Sequence, residues 1–263
     1  MNALATVWVT IERMASTPSS SLPSPPPHRQ FATTRWSMVS AAGVDSSPEA
    51  KQALADLCTV YWYPLYAFLR RKNLPPEDAQ DATQEFFVQL LEREILRRAD
   101  RTRGKFRSFL LASLKHFLAN HRRHAGTLKR GGGKSLLSLD FADGEERYRR
   151  EPADPCTAET IFERRWALTV LEQTLQLLQA EFVAAGKGEL FEALKNHLGG
   201  QTPGENYRAL AGQLAMSEGA VKTAVHRLRK RYRELLHAEV AQTVTDPAEV
   251  KEELRELQAA LSD

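Results

Sequence analysis

The sequence predicts an all-α fold made of two small helical domains joined by a flexible linker. Two observations carry that prediction. From Phe31 almost to the end, apolar residues recur at three- and four-residue intervals, with no two-residue alternation bounded by hairpin turns. The pattern then lapses once, between residues 126 and 155, where glycines, prolines and mixed charge replace it. A chain of 263 residues, 42% hydrophobic and 26% charged, can bury one sizeable core or two small ones.

Residues 1–33 stand apart from that pattern. The run Leu4 to Ile11 lacks a basic leader and is followed at once by Glu12 and Arg13, which argues against a signal peptide. Ser16 to Pro27 is serine and proline with little else, too poor in apolar surface to offset its ordering entropy, and is expected to be disordered. No stretch reaches the roughly 18 to 20 apolar residues of a membrane span. Cys58 and Cys156 are solitary and distant, which excludes a disulfide framework and a cysteine-rich zinc site and suits a reducing cytosol.

The first domain is predicted over 34–125. Ser47-Pro48-Glu49 is a good helix start, and Leu54, Leu57, Tyr61, Leu65 and Phe68 form one stripe up to Arg70-Arg71-Lys72, with Pro64 expected to kink or tighten the helix. Pro75-Pro76-Glu77-Asp78 opens a second helix with Ala79, Ala82, Phe86 and Leu90 inward and Asp78, Asp81, Gln84 and Glu85 on its other faces. A third runs from about Lys105 to His124, with Phe106, Phe109, Leu110, Leu114, Phe117 and Leu118 buried. Its flanks and polar face are basic, through Arg101, Arg103, Lys105, Arg107, Lys115, Arg122 and Arg123.

Residues 126–155, which include Lys129-Arg130-Gly131-Gly132-Gly133-Lys134, are read as the flexible linker. The second domain, 156–240, begins with a helix from near Ala158 carrying Trp166, Leu168, Leu171, Leu175 and Leu178. Another holds Leu190, Phe191, Leu194 and Leu198 before Gly199-Gly200. Tyr207 to Leu236 has helix-turn-helix spacing: a short helix with Leu210, Ala211 and Leu214 inward, a break at Ala215-Met216-Ser217, and a long helix from Glu218. Ser217 is placed to cap the long helix, whose inner stripe is Val221, Val225, Leu228 and Tyr232. Its outer face carries Lys222, Thr223, His226, Arg227, Arg229, Lys230, Arg231 and Arg233. Such a helix suits duplex DNA, with its N-terminal end in the major groove and its basic flank on phosphates; a solvated basic face is the plain alternative. Ala215 stands where this turn often holds glycine, at a cost of about 1 kcal/mol if the left-handed conformation is required.

The segment from Tyr207 to Lys222, followed by Val225-His226-Arg227-Leu228-Arg229, resembles the promoter-reading helix-turn-helix of sigma factor domain four. The run Pro76-Glu-Asp-Ala-Gln-Asp-Ala-Thr-Gln-Glu-Phe-Phe87 resembles the core-binding helix of sigma domain two. The similarity covers about residues 34–240, in the order and separation found in extracytoplasmic-function sigma factors of bacterial RNA polymerase. It implies that Asp78, Asp81, Gln84 and Glu85 dock core RNA polymerase. It implies that Lys105, Arg107, Lys115, His116, Asn120, Arg122 and Arg123 meet the minus-ten element, including its single-stranded non-template strand. It further implies that Ser217, Glu218, Lys222, Thr223, His226, Arg227, Arg229 and Lys230 meet the minus-thirty-five duplex. His116 and Asn120 depart from the family's common asparagine and aspartate, so base preference does not transfer. An anti-sigma factor or another regulator is a further partner to expect.

No cofactor, metal or catalytic set is expected. Gly131-Gly-Gly-Lys-Ser135 lacks the glycine that a phosphate loop requires at position 128, which is Leu128, and follows a helix rather than a strand. His116, His121 and His124 have no i, i+4 pair and no acidic partner cluster. No nucleophile, base and orienting residue assemble, so the chain is not read as an enzyme. The competing expectation is a helix-turn-helix transcription regulator whose first domain senses a ligand or partner. Residues 241–263 predict an acidic helix from Asp246-Pro247-Ala248-Glu249 through Leu261, with Leu254, Leu257 and Leu261 on one side. It is expected either to pack on the second domain or to cover the basic face through Glu249, Glu252, Glu253 and Glu256.

Overall fold

The computed structural model describes residues 48–91, 105–124, 141–150, 157–198, 207–244 and 246–262. Among them every regular element is a helix, apart from one isolated antiparallel bridge between Lys105 and Val244. The helices are α1 (Pro48–Arg71), α2 (Pro76–Leu91), α3 (Phe106–His124), α4 (Phe141–Arg149), α5 (Ala158–Ala184), α6 (Gly188–Leu194), α7 (Tyr207–Gln213), α8 (Glu218–Ala241) and α9 (Val250–Ser262). Single 3₁₀ turns follow α6 at Lys195–His197 and precede α9 at Pro247–Glu249. The predicted disordered start at 1–33 and the glycine-rich run 129–134 lie outside the described residues.

Three helix ends share one local solution. Beyond α1, α5 and α7 the chain turns through a left-handed residue, Asn73 (φ 63°), Gly186 (φ 70°) and Ala215 (φ 51°). In each case the next N–H reaches a carbonyl five residues back: Leu74 to Leu69 at 3.3 Å, Lys187 to Phe182 at 2.8 Å, and Met216 to Ala211 at 2.9 Å. This closes carbonyls that a helix end leaves unsatisfied. Asparagine and glycine tolerate the conformation; alanine carries the steric cost of its Cβ.

The chain divides into two compact units, Ala32–Trp166 with Ala241–Lys251, and Ala167–Val240 with Glu252–Asp263. The boundary between these units falls inside α5, and α4 lies within the stretch 126–155 expected as a linker. Phe141 is buried edge-on to Trp62 and Tyr66 of α1, with ring centroids 5.4 and 5.7 Å away. Gly144 sits so close that an added Cβ would lie 3.0 Å from two atoms of the Trp62 ring. Glu145 accepts from Arg70 Nε at 2.8 Å and from the Tyr66 hydroxyl at 2.7 Å. This part of the expected linker is a docked helix.

The core of the first unit follows the spacing of its sequence. Tyr61, Leu65 and Phe68 of α1, Ala79, Ala82, Phe86 and Leu90 of α2, and Phe106, Phe109, Leu110, Leu114, Phe117 and Leu118 of α3 are buried. Phe106 packs edge-on to Tyr61 at 5.0 Å and Phe117 to Phe86 at 5.7 Å. Each such ring contributes about 1.5–3 kcal/mol through burial. α1 continues through Pro64 to Arg71. Residues 241–251 complete this unit: Thr243 and Val244 are buried, and the Thr243 carbonyl accepts from the Phe106 N–H at 2.9 Å. That N–H belongs to the first turn of α3 and would otherwise lack a helical partner.

In the second unit the α8 stripe Val221, Val225, Leu228 and Tyr232 is buried, and Leu236 and Val240 extend it. The Tyr232 hydroxyl donates to the Leu171 carbonyl of α5 at 3.2 Å. Leu171, Leu178, Phe191, Leu194, Leu198, Leu210 and Ala211 are buried with it, whereas Leu168, Leu175 and Leu214 are half-buried. α9 buries Leu257 and, against expectation for an acidic flap, the whole of Glu253. Leu254 and Leu261 are only half-buried. Of the other acids, Glu252 pairs with Arg255 at 3.0 Å within α9, and Glu249 and Glu256 are half-buried. The four carboxylates do not form one outward face.

Candidate nucleic-acid interface

α7, residues 214–217 and α8 make a helix, a tight turn and a second helix. The turn ends on Ser217, whose Oγ accepts from the Ala220 N–H at 3.2 Å and whose carbonyl accepts from the Val221 N–H at 3.0 Å. That is the capping role expected for serine at this point. Since Val221 and Val225 fix the inner side, Glu218, Lys222, Thr223, His226, Arg227 and Lys230 are turned outward and exposed.

The exposed cations are not equivalent. Lys222 Nζ lies 3.1 Å from Glu218 one turn back and 5.9 Å above the Tyr207 ring. The Thr223 hydroxyl donates to the Gly219 carbonyl at 3.0 Å, so its methyl is the group left outward. Arg229 is half-buried, and its Nε donates to the His197 carbonyl at 2.7 Å. This bond ties α8 to the 3₁₀ turn after α6. Arg231 is held by Glu181 at 2.5 Å and Glu234 at 3.1 Å, and Arg233 Nε donates to the Arg229 carbonyl at 3.3 Å. His226, Arg227 and Lys230 have no ion pair among the described residues. The same holds for the exposed Arg208 of α7, which sequence reasoning passed over although it follows the inward Tyr207 directly.

On α2, Asp78, Asp81 and Glu85 are exposed and Gln84 is half-buried; Glu85 accepts from the Gln89 amide at 3.2 Å. These side chains share a surface with the acidic first turn of the helix, where Glu77 and Asp78 favour the positive end of its dipole.

α3 departs from expectation. Arg107 is buried, 6% exposed, with its guanidinium 4.6 Å over the Trp166 ring and in an ion pair with Glu163. Turning it toward phosphate would cost both contacts. Lys105 is half-buried beside the bridge to Val244. The outward face of α3 carries Ser108, Ala112, Lys115, His116 and Ala119, with Asn120 half-buried. Lys115 Nζ lies 2.9 Å from Glu159. Arg122 and Arg123 belong to α3, but their side chains lie outside the described residues.

Among the described residues no three histidine, cysteine, aspartate or glutamate side chains gather as metal ligands, and no helix is long and apolar enough to cross a membrane. Cys58 is buried, and burial pushes its thiol pKa up. No family model matches the chain, and no curated protein or solved structure matches it.

Proposed function

We propose that the chain is a sigma-type subunit that binds core RNA polymerase and directs it to promoters by recognising minus-ten and minus-thirty-five elements. In this reading α7, the turn and α8 are a helix-turn-helix, and the two heads belong to separate domains. The observation that supports it is the capped N-terminal half of α8, where Glu218, Lys222, Thr223, His226 and Arg227 are exposed; in this reading they meet base edges. Lys230 and Arg208 flank them as phosphate contacts. The exposed carboxylates of α2 supply the docking face, and α3 with Lys105, Lys115, His116, Asn120, Arg122 and Arg123 meets the displaced strand. Strand separation in this scheme is driven by binding free energy, without nucleotide hydrolysis.

One observation favours the competing reading of a helix-turn-helix regulator with a partner-sensing first domain. With Arg107 turned inward, the described outward face of α3 is sparse in charge. The two readings separate on core polymerase. In the sigma reading the chain co-elutes with core enzyme on gel filtration and Asp81→Arg abolishes this. A regulator shows no such complex, and its duplex binding survives Asp81→Arg.

A further inference from the structure

The second half of α5 carries more apolar surface than the second unit covers. Leu171, Thr174 and Leu178 face its core and are buried, yet Leu177 and Val183 are 41% and 60% exposed. These two are the exposed large apolar side chains among the described residues. They share one side of the helix with Gln173, Gln176, Ala180 and Ala184. The intervals along these six residues are three, one, three, three and one, which an α-helix gathers into a single strip. Gln173 is half-buried and the other five are exposed. None of the six is charged, in a chain that is 26% charged. Glu181, at the edge of the strip, is held by Arg231 at 2.5 Å. Single exposed apolar residues need no explanation, but two that flank alanines on an uncharged strip make a seat for another apolar helix.

One segment of the same chain has the matching pattern and no role in the proposed function. Leu4, Val7, Trp8, Ile11 and Met14 recur at intervals of three, one, three and three, and the run Leu4 to Ile11 carries no charge. We propose that residues 4–14 dock as an amphipathic helix on the strip of α5, with Trp8 seated over Ala180 and Ala184 between Leu177 and Val183. The short alanine side chains leave room for an indole ring, which brings the largest apolar area of any residue in the segment. Residues 15–47 form the tether. Extended, they span roughly 100 Å, ample for the segment to reach the second unit, and a tether of this kind holds its two ends at an effective concentration near the millimolar range. So short a helix is marginal in water by itself, so that the order of residues 4–14 depends on the seat and folding accompanies docking. The inference stands apart from the promoter reading, and its test needs neither DNA nor polymerase.

Amide hydrogen exchange of the full chain, read by mass spectrometry at low and at high protein concentration, tests this. The amides of residues 4–14 should exchange about tenfold or more slower than free-chain rates, equally at both concentrations. Leu177→Asp and Val183→Asp should each return them to the free-chain rate while the amides of α8 keep their protection, and Leu177→Met should leave the segment protected. Trp8→Asp should likewise release the segment and leave α5 and α8 unchanged. Free-chain exchange of residues 4–14 in the unaltered protein overturns the proposal and leaves the strip to a separate partner. Protection that persists in both aspartate variants of α5 also overturns it, because the segment is then seated elsewhere. Protection that grows with concentration, together with a dimer in sedimentation that Leu177→Asp abolishes, assigns the strip to a second copy of the chain and overturns docking within one chain. If Leu177→Asp lowers the protection of α8, Val183→Asp and Trp8→Asp decide the matter.

Discussion

Arg70 grips Glu145 through two nitrogens, Nε at 2.8 Å and Nη2 at 3.1 Å, while its Nη1 reaches the Leu74 carbonyl at 2.5 Å. One side chain thus fastens α4 to α1 and closes the turn after α1. Tyr66 adds a third bond to the same carboxylate.

That carboxylate defines an acid limit. Its pKa is lowered from 4.5, first by the hydrogen bond from Arg70, so the folded state binds the proton more weakly than the unfolded state. The contribution is complete above the unfolded value and is lost as the pH falls through the lower folded value. Glu145→Gln is expected to destabilise the first unit by about 1–3 kcal/mol at neutral pH, and the difference from wild type should shrink as the pH drops below about 4. Urea midpoints across pH measure this. A constant difference down to low pH would remove the pair from the account.

Gly144 and Gly212 should respond oppositely to alanine. An exposed helical Gly→Ala change gains about 0.5–1 kcal/mol, and nothing lies within 4 Å of a Cβ at Gly212. At Gly144 the Cβ meets the Trp62 ring, which is itself braced by Phe141 and Tyr63. Overpacking there costs about 1–3 kcal/mol and outweighs the helical gain. Thermal melting of the two variants should move in opposite directions, with Trp62 fluorescence altered only in Gly144→Ala.

These elements differ in how far the sequence reveals them. The positions of Ala79, Ala82, Phe86 and Leu90 announce α2 because one face is continuously apolar; the Thr157 cap at the start of α5, where the Thr160 N–H donates to Thr157 Oγ1 at 3.1 Å, emerges only in the structure. α4 gives no such signal. It is nine residues long, mostly charged and interrupted by Gly144, and it is held by partners such as Tyr66, 79 residues from Glu145. Arg107 misleads for a related reason: periodicity marks it as polar, but only the fold reveals Glu163, 56 residues away, waiting on the inner side. The two helices α7 and α8 and the turn between them are legible because the contacts of that turn are local, from Ser217 to Ala220 and from Met216 to Ala211.

Ala215 is a site of removable strain. With φ at 51°, Ala215→Gly is expected to stabilise the second unit by up to about 1 kcal/mol, partly offset by the greater freedom of glycine in the unfolded chain. Chemical denaturation measures the gain. A loss would mean that the alanine side chain contributes packing at this turn.

The cations of α8 should sort by environment. Arg227→Ala is expected to weaken duplex binding by about 1–3 kcal/mol and relax preference at one base pair, and Lys230→Ala to lower the salt slope by about 0.9 without changing preference. Arg231→Ala, whose charge is already matched by Glu181 and Glu234, should alter affinity little. Arg229→Ala should lower the melting temperature, since it frees the His197 carbonyl. Equal effects of all four on affinity would point to a diffuse charge effect.

The central claim is that this chain gives core RNA polymerase its promoter choice, and transcription in vitro from a promoter library with purified bacterial core enzyme tests it most directly. The expected result is initiation at a discrete set of sites sharing minus-ten and minus-thirty-five sequences, lost with Asp81→Arg and broadened upstream with Arg227→Ala. A chain that fails to bind core enzyme and leaves its transcription unchanged would contradict the account.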